Sequence, residues 1–240
     1  MSDLVLPRAA EIAALFEGPV EVEAGPILSD LDASALLPEE QPMVARAVEK
    51  RMREVVTGRT YARRALARLS PAHVSVAIPA GPDRAPRWPD GVSGSISHTK
   101  RACIAVVGEQ ARVGTLGIDV EEGVALPEGV ERHVLAEGER AVIATLRDPD
   151  LACLVWFSAK EAFYKAQHPA SGVLLGFHEV EIAPVEGSIE RLRLTLLRQA
   201  GPHPAGMRAD IRVLLGRDRV VTACALAPAA TDPGPIRKSS

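Results

Sequence analysis

Four groups of residues in this chain have types and spacings that could do chemistry. The first is Asp119 and Glu121 within GIDVEE, residues 117–122. In an extended chain residues i and i+2 point to the same face, so the two carboxylates converge and repel. A hard divalent cation with oxygen ligands would relieve that repulsion; a solvent-facing strand end is the plainer alternative. The second group is WFSAKEAFYKAQH, Trp156–His168. On a helix, Trp156, Ala159, Phe163 and Ala166 share an apolar face, and Glu161, Lys165 and His168 fall on the opposite one, flanked by Lys160 and Tyr164. An exposed Glu–Lys pair accounts for this pattern. So does a site for a metal-bound polyphosphate, in which the carboxylate holds the metal and the lysines neutralise the remaining oxygens.

The third group is a basic stretch between Arg46 and Arg68. Arg46, Lys50, Arg51, Arg53, Arg59, Arg63, Arg64 and Arg68 stand against only Glu49 and Glu54. A solvated helix or an RNA-facing patch would read this way. An anion pocket for a terminal phosphate is the sharper option, because arginine forks match phosphate geometry. The fourth is GSISHT, where Ser97 and His98 end an extended stretch behind a glycine-rich loop. With no GxSxG elbow and no evident triad, this is not a hydrolase signature.

Several elements must position these residues. The pattern predicts a long helix from about Pro42 to Leu69 with Gly58 as a candidate break, a short strand at His73–Ile78, and a proline- and glycine-rich loop over Pro79–Gly94. Three strands follow, in SISHT, ACIAVVG and RVGTLGIDVE, then short helices within Glu128–Leu146. A helix capped by Asp148 or Asp150 is expected to end before Pro169. FHEVEIAPV, ERLRLTLLR, MRADIRVLLG and RVVTACALA read as C-terminal strands. Residues 1–41 are mixed and broken by four prolines, and the tail 228–240 is expected to be disordered. The whole is α+β, in two comparable halves, 1–115 and 116–227.

Composition bounds the function. The 240 residues are 47% hydrophobic and 25% charged, as in an ordinary globular protein, with only 3% aromatic. A formal net charge of −3 argues against nucleic-acid binding driven by bulk charge. The three cysteines, Cys103, Cys153 and Cys224, each lie in apolar stretches, without zinc-like spacing. They read as free thiols in a reducing compartment. No stretch approaches the roughly 20 apolar residues of a membrane span, and the N-terminus does not read as a signal peptide. The expectation is a cytoplasmic chain.

Taken together and in order, EKRMREVVTGRTYARRAL, RAPRWPDGVSGSISHT, GIDVEE, WFSAKEAFYK and LLGFHEVEI resemble the 4′-phosphopantetheinyl transferases of the larger single-chain type, particularly the enterobactin- and siderophore-associated group. The resemblance implies two similar α+β halves related by a pseudo-twofold axis, with coenzyme A as co-substrate in the cleft between them. It implies a Mg²⁺ site at Asp119, Glu121 and Glu161, assisted by the backbone carbonyl of Val120. Lys160 and Lys165 match the pyrophosphate contacts. Arg51 and Arg59 match the ligands of the 3′-phosphate, with Lys50 and Arg63 as secondary candidates. Ser97 and His98 match a phosphate-contacting pair, and Gly81, Asp83 and Arg84 lie in the loop that passes the adenine. Ala80 stands where some relatives carry a lysine, and Thr99 where cysteine or serine is frequent. The implied reaction transfers 4′-phosphopantetheine from coenzyme A to a serine of an acyl or peptidyl carrier protein, releases 3′,5′-ADP, and uses Glu161 as base. The partners would be carrier domains of polyketide, nonribosomal peptide or fatty acid synthases, and the enzyme a monomer. A Mg²⁺-dependent pyrophosphate hydrolase, or a nucleic-acid-binding module using residues 46–68, are the competing readings.

Overall fold

The computed structural model describes residues 6–123 and 125–227. The tail expected to be disordered lies outside the described residues. The N-terminal part contains α1 (Ala9–Ala13), β1 (Glu21–Pro26), α2 (Glu49–Leu69), β2 (Val92–His98), β3 (Ala102–Glu109) and α3 (Gln110–Val113). After it come β4 (Thr115–Glu122), α4 (Glu131–Val134), α5 (Glu137–Ile143), α6 (Pro149–Ser171), and then β5 (Val180–Val185), β6 (Ser188–Leu196), β7 (Arg208–Leu215) and β8 (Arg219–Leu226). The fold is α+β, as expected. One antiparallel sheet has the order β1-β3-β2, the other β4-β8-β7-β6-β5. The two parts that the resemblance implies to be alike thus carry three and five strands.

Each long helix covers one sheet. Tyr61, Ala62, Ala65 and Leu66 of α2 pack on Cys103, Ala105 and Val107 of β3. Trp156, Ala159, Phe163 and Ala166 of α6, the apolar face read from the sequence, pack on Leu194, Ile211 and Cys224 of the larger sheet. A third core joins the parts, where Ile104 and Val106 meet Ile118, Val120 and Val221 beneath Ile12 and Phe16.

The two sheets are joined at β2 and β4 by side chains. The hydroxyl oxygens of Ser93, Ser95 and Ser97 accept the backbone N–H groups of Leu116, Ile118 and Val120 at 2.9, 3.1 and 3.3 Å. An edge strand's buried donors must be satisfied, and a period-2 row of serines on the facing strand does it. Across β4, Gly117 lets α6 come close: a Cβ there would lie 1.9 Å from the Ala162 carbonyl oxygen. Asp119 is thereby held under α6.

Four local expectations are corrected. The α2 helix starts at Glu49, and Pro42 opens only a single 3₁₀ turn, Gln41–Met43. The chain before Glu49 instead turns to bury Glu40, whose carboxylate accepts from Leu37 N, Ile78 N and Arg63 Nη1. Gly58 does not break the helix; it makes room for Ile96, whose Cγ2 would be 3.1 Å from an added Cβ. Residues 73–78 form no strand, since Pro71–His73 is a 3₁₀ turn and the Ile78 N–H goes to Glu40 rather than to a sheet edge. Pro169 lies inside α6. It removes one hydrogen bond in the last turn, a small loss there, and the helix ends at Gly172, whose φ of 63° and N–H to the His168 carbonyl form the C-cap. Residues 1–41 also hold α1 and β1.

Candidate active site

Asp119 is buried on β4. Its Oδ1 accepts from the Ser97 hydroxyl at 2.8 Å and from Lys165 Nζ at 2.7 Å, and its Oδ2 accepts from the Ser158 hydroxyl at 2.8 Å. Lys165 also donates to Ser97 Oγ at 3.0 Å and to the Ile118 carbonyl at 3.1 Å. Strands β2 and β4 and helix α6 therefore converge on one carboxylate. Charged hydrogen bonds of this kind are the strong ones.

Glu121 and Glu161 share the field of Asp119. Burial, reinforced by Asp119 and Glu161 and opposed by Lys165, pushes the Glu121 carboxyl up to about 7. Burial also raises Glu161, with Lys165 opposing and Asp119 adding to the rise. Three coupled carboxylates facing one ammonium are short of positive charge, and their hard oxygens suit a hard divalent cation. In chemistry the donor set fits. In position it is not gathered: among the described residues no three carboxylate, histidine or cysteine side chains are close enough to ligate one ion. Val120 turns its side chain to the opposite face and gives its N–H to Ser97.

A cavity of about 460 Å³ opens beside this centre, lined by Arg51, Glu54, Arg59, Ala80, Arg84 and His98. Arg59 is buried, with Nε donating to the Ile78 carbonyl at 2.6 Å. Burial, opposed by Glu40, pulls its guanidinium down to about 10. Arg51 Nη1 lies 3.3 Å from both Glu54 Oε2 and His98 Nε2. Burial lowers the His98 imidazole, with Glu54 opposing and Arg51 and Lys165 adding. Lys50 is exposed beside Glu54, and Arg63 is spent on Glu40 and the Ala35 carbonyl. A second cavity, about 400 Å³, is lined by Asp83, Arg84, Trp88, Glu161, Lys165 and Leu175. Arg84, Pro86 and Ile96 line both cavities, so the two adjoin, the first within the N-terminal part and the second between that part and α6. Arg84 holds a φ of 67° in the turn that carries it, where Ala85 N–H bonds Asp83 Oδ1. Gly81 opens that turn, its N–H going to the Ala85 carbonyl.

Lys160 does not join the site either. Lys160 was expected to contact pyrophosphate, but its ammonium is fully buried on the far side of α6. It donates to Glu139 at 2.7 Å and to the carbonyls of Val134 and Phe177 at 2.8 and 2.9 Å. One position along a helix turns a side chain by 100°, and Lys160 therefore points inward while its neighbour Glu161 faces the cleft. Sequence reasoning missed Ser158 and Glu54. The alternation Ser93, Ser95, Ser97 was visible as a pattern; the partners of Ser158 and Glu54 were not.

The family model of the 4′-phosphopantetheinyl transferase N-terminal domain matches residues 39–108, and that of the 4′-phosphopantetheinyl transferase superfamily matches residues 115–224. Over 216 residues the chain is 41% identical to 4′-phosphopantetheinyl transferase Svp of Streptomyces mobaraensis, covering 84% of this chain and 83% of that relative. The chain belongs to the 4′-phosphopantetheinyl transferase superfamily. This transferase is also 37% identical over 182 residues to 4′-phosphopantetheinyl transferase Npt of Nocardia iowensis, covering 76% of each chain. It is 38% identical over 160 residues to 4′-phosphopantetheinyl transferase PptT of Mycobacterium tuberculosis, covering 65% of this chain and 68% of the relative. As a member, the transferase is an enzyme that moves 4′-phosphopantetheine from coenzyme A to carrier proteins. The hydrolase and nucleic-acid readings gain nothing from these matches. Among the described residues, no helix of the transferase is long and apolar enough to cross a membrane.

Proposed function

We propose that the transfer takes place where Asp119, Lys165 and Glu161 border the cleft, and that Asp119, Glu121 and Glu161, although not gathered on one point, are the carboxylates that would close on Mg²⁺ there. The observation that carries this reading is the contact of Lys165 with Asp119 and Ser97 at the wall of a cleft that Glu161 also lines. When bound, the ion would neutralise charge on the pyrophosphate oxygens. Lys165 neutralises further oxygens, and Ser97 keeps Lys165 and Asp119 aligned. Arg51, Arg59 and His98 take the 3′-phosphate in their cavity, with Arg84 near enough to serve in place of the lysine absent at Ala80. The loop of Gly81, Asp83 and Arg84 borders the adenine. Lys160 stays structural.

Glu161 takes the proton of the carrier serine. Burial raises its proton affinity, which favours that role. The serine oxygen bonds to the β-phosphorus, the phosphoanhydride P–O bond breaks, and 3′,5′-ADP leaves with the bonding pair. Every residue named comes from one chain, so a monomer suffices. Free thiols at Cys103, Cys153 and Cys224 suit a reducing, cytoplasmic compartment. Domains of polyketide, nonribosomal peptide or fatty acid synthases are the expected acceptors. The test is the intact mass of apo-carrier proteins incubated with the enzyme, coenzyme A and Mg²⁺. A gain of phosphopantetheine that disappears in Glu161→Gln supports the site. Release of 3′,5′-ADP without any carrier would instead favour the hydrolase.

A further inference from the structure

His168 ends the polar face of α6 and has no part in the chemistry above. It lies one turn beyond Lys165, largely shielded, with its side chain 14% exposed. Its Nδ1 is 3.5 Å from Asp83 Oδ2, on the loop contributed by the other side of the cleft. The two oxygens of Asp83 thus do different jobs. One accepts the Ala85 N–H at 3.1 Å and shapes the turn; the other faces the helix. The helix side is firmly held: Gly172 N–H caps the His168 carbonyl at 2.8 Å, and Gln167 Nε2 donates to the Val173 carbonyl at 2.8 Å. The loop side is held by its own turn, through Gly81 N–H to Ala85 O and Arg87 N–H to Pro79 O at 2.8 Å each, and at its far end by Trp88, which packs against the core under α2. Asp83 Oδ2 is the acceptor oxygen that the His168 ring faces across the cleft. Arg84 and Arg87 are the competing charges on the loop, Arg87 Nε lying beside Gly81 and the Asp83 carboxylate, and Lys165 and Glu161 are those on the helix; Arg84, Lys165 and Glu161 line the same cavity as the pair.

We propose that His168 is a positioning residue, which through Asp83 straps the 79–89 loop to α6 and fixes the cleft width that coenzyme A meets. The proposal rests on the reading that coenzyme A lies in this cleft against that loop. The strap acts on binding rather than on the transfer step. Its loss raises KM for coenzyme A and leaves kcat and KM for the carrier unchanged.

The test uses the full chain as His168→Ala, Asp83→Asn, the double variant and His168→Asn, whose amide nitrogen stands near the place of Nδ1. Amide hydrogen exchange of residues 79–89 is measured without ligand and with coenzyme A, alongside steady-state kinetics. A half-exposed contact between polar side chains is worth enough for a rise of about two- to fivefold in loop exchange and in KM. Both single variants should show it, the double variant no more than either, and His168→Asn should recover part of it. Unchanged loop exchange in the single variants, or effects that add in the double variant, would overturn the strap. Looser exchange with unchanged KM would overturn its role in positioning. If coenzyme A fails to slow loop exchange in the wild type while transfer proceeds, the placement of coenzyme A against this loop fails instead, and the ligand-free exchange still decides the strap.

Discussion

Asp119 shows why the same side chain can be both a site residue and a structural one. Its two oxygens satisfy Ser97, Ser158 and Lys165. Asp119→Ala therefore removes the acceptor of the buried Ser97 hydroxyl and the counter-charge of Lys165, while Lys165 keeps Ser97 Oγ and the Ile118 carbonyl and Ser158 keeps Thr222 Oγ1; a buried group left unsatisfied costs about 1–3 kcal/mol. The variant should lose activity together with melting temperature, whereas Glu161→Gln should lose activity with its melting temperature nearly kept. Paired thermal melts and transfer assays measure both; a fully stable Asp119→Ala would mean that this network contributes nothing to the fold. Glu121 makes a pH prediction. Its folded carboxyl titrates at about 7 against an ordinary value of 4.5. Between these values the folded state binds more protons than the unfolded one, so stability falls as pH rises across that window. Melts in the absence of divalent metal should show that fall, Glu121→Gln should flatten it, and added Mg²⁺ should restore stability above the window if Glu121 is a ligand. Arg51 tests the phosphate cavity. Wild-type protein should prefer coenzyme A over dephospho-coenzyme A, and Arg51→Ala should shrink the preference by about 1.5–3 kcal/mol, as read by calorimetric titration of both ligands.

At the scale of elements, α6 is the piece on which everything turns, and two contacts set its position. Gly117 admits it against β4, so Gly117→Ala, with its Cβ 1.9 Å from the Ala162 carbonyl, should push the helix away and abolish transfer along with native stability. On the other side, the buried Lys160–Glu139 pair ties α6 to α5, and Glu139 accepts the N–H groups of Ala136 and Ile182 as well. Breaking such a pair from one side strands a buried charge, costing about 3–5 kcal/mol. Lys160→Met should accordingly lower the melting temperature strongly while the folded fraction keeps its affinity for coenzyme A. A large loss of affinity with little loss of stability would return Lys160 to the pyrophosphate. The prediction separates two roles that a lysine next to Glu161 could have had.

For the whole molecule, the question is how a chain of net charge −3 receives a carrier protein. So small a net charge gives little bulk attraction to any partner, and local surface must do the work. Leu174 stands 83% exposed at the edge of the cleft, between Val173 and Leu175, which pack against the core of the larger sheet. Its place at the cleft makes it the side chain with which a carrier contact is tested. Leu174→Asp should weaken transfer to an apo-carrier, seen as a raised KM for the carrier by intact mass, with coenzyme A binding unchanged. Unaltered transfer would remove Leu174 from the docking surface and leave the reaction as it stands.

The sequence by itself determined the α+β class, the two long helices, the four C-terminal strands and the apolar face of α6, because these follow from local periodicity. It also determined that Asp119 and Glu121 share a face, since a strand fixes alternation, and its ordered motifs pointed to the family. Tertiary structure alone decided what those periodicities face. Residues 73–78 alternate like a strand, yet the buried Glu40 carboxylate takes the Ile78 N–H, and no sheet edge receives them. Pro169 reads as a stop, yet the packing of the preceding turns carries the helix on to Gly172. Lys160 and Lys165 look equivalent in the motif, but the first meets a buried glutamate and the second a cleft. Serines spaced by two say only that one face of β2 is hydroxylated. That they satisfy the edge of β4, and so hold the two sheets and the candidate site together, depends on a partner strand some 23 residues away, and no local pattern encodes that pairing.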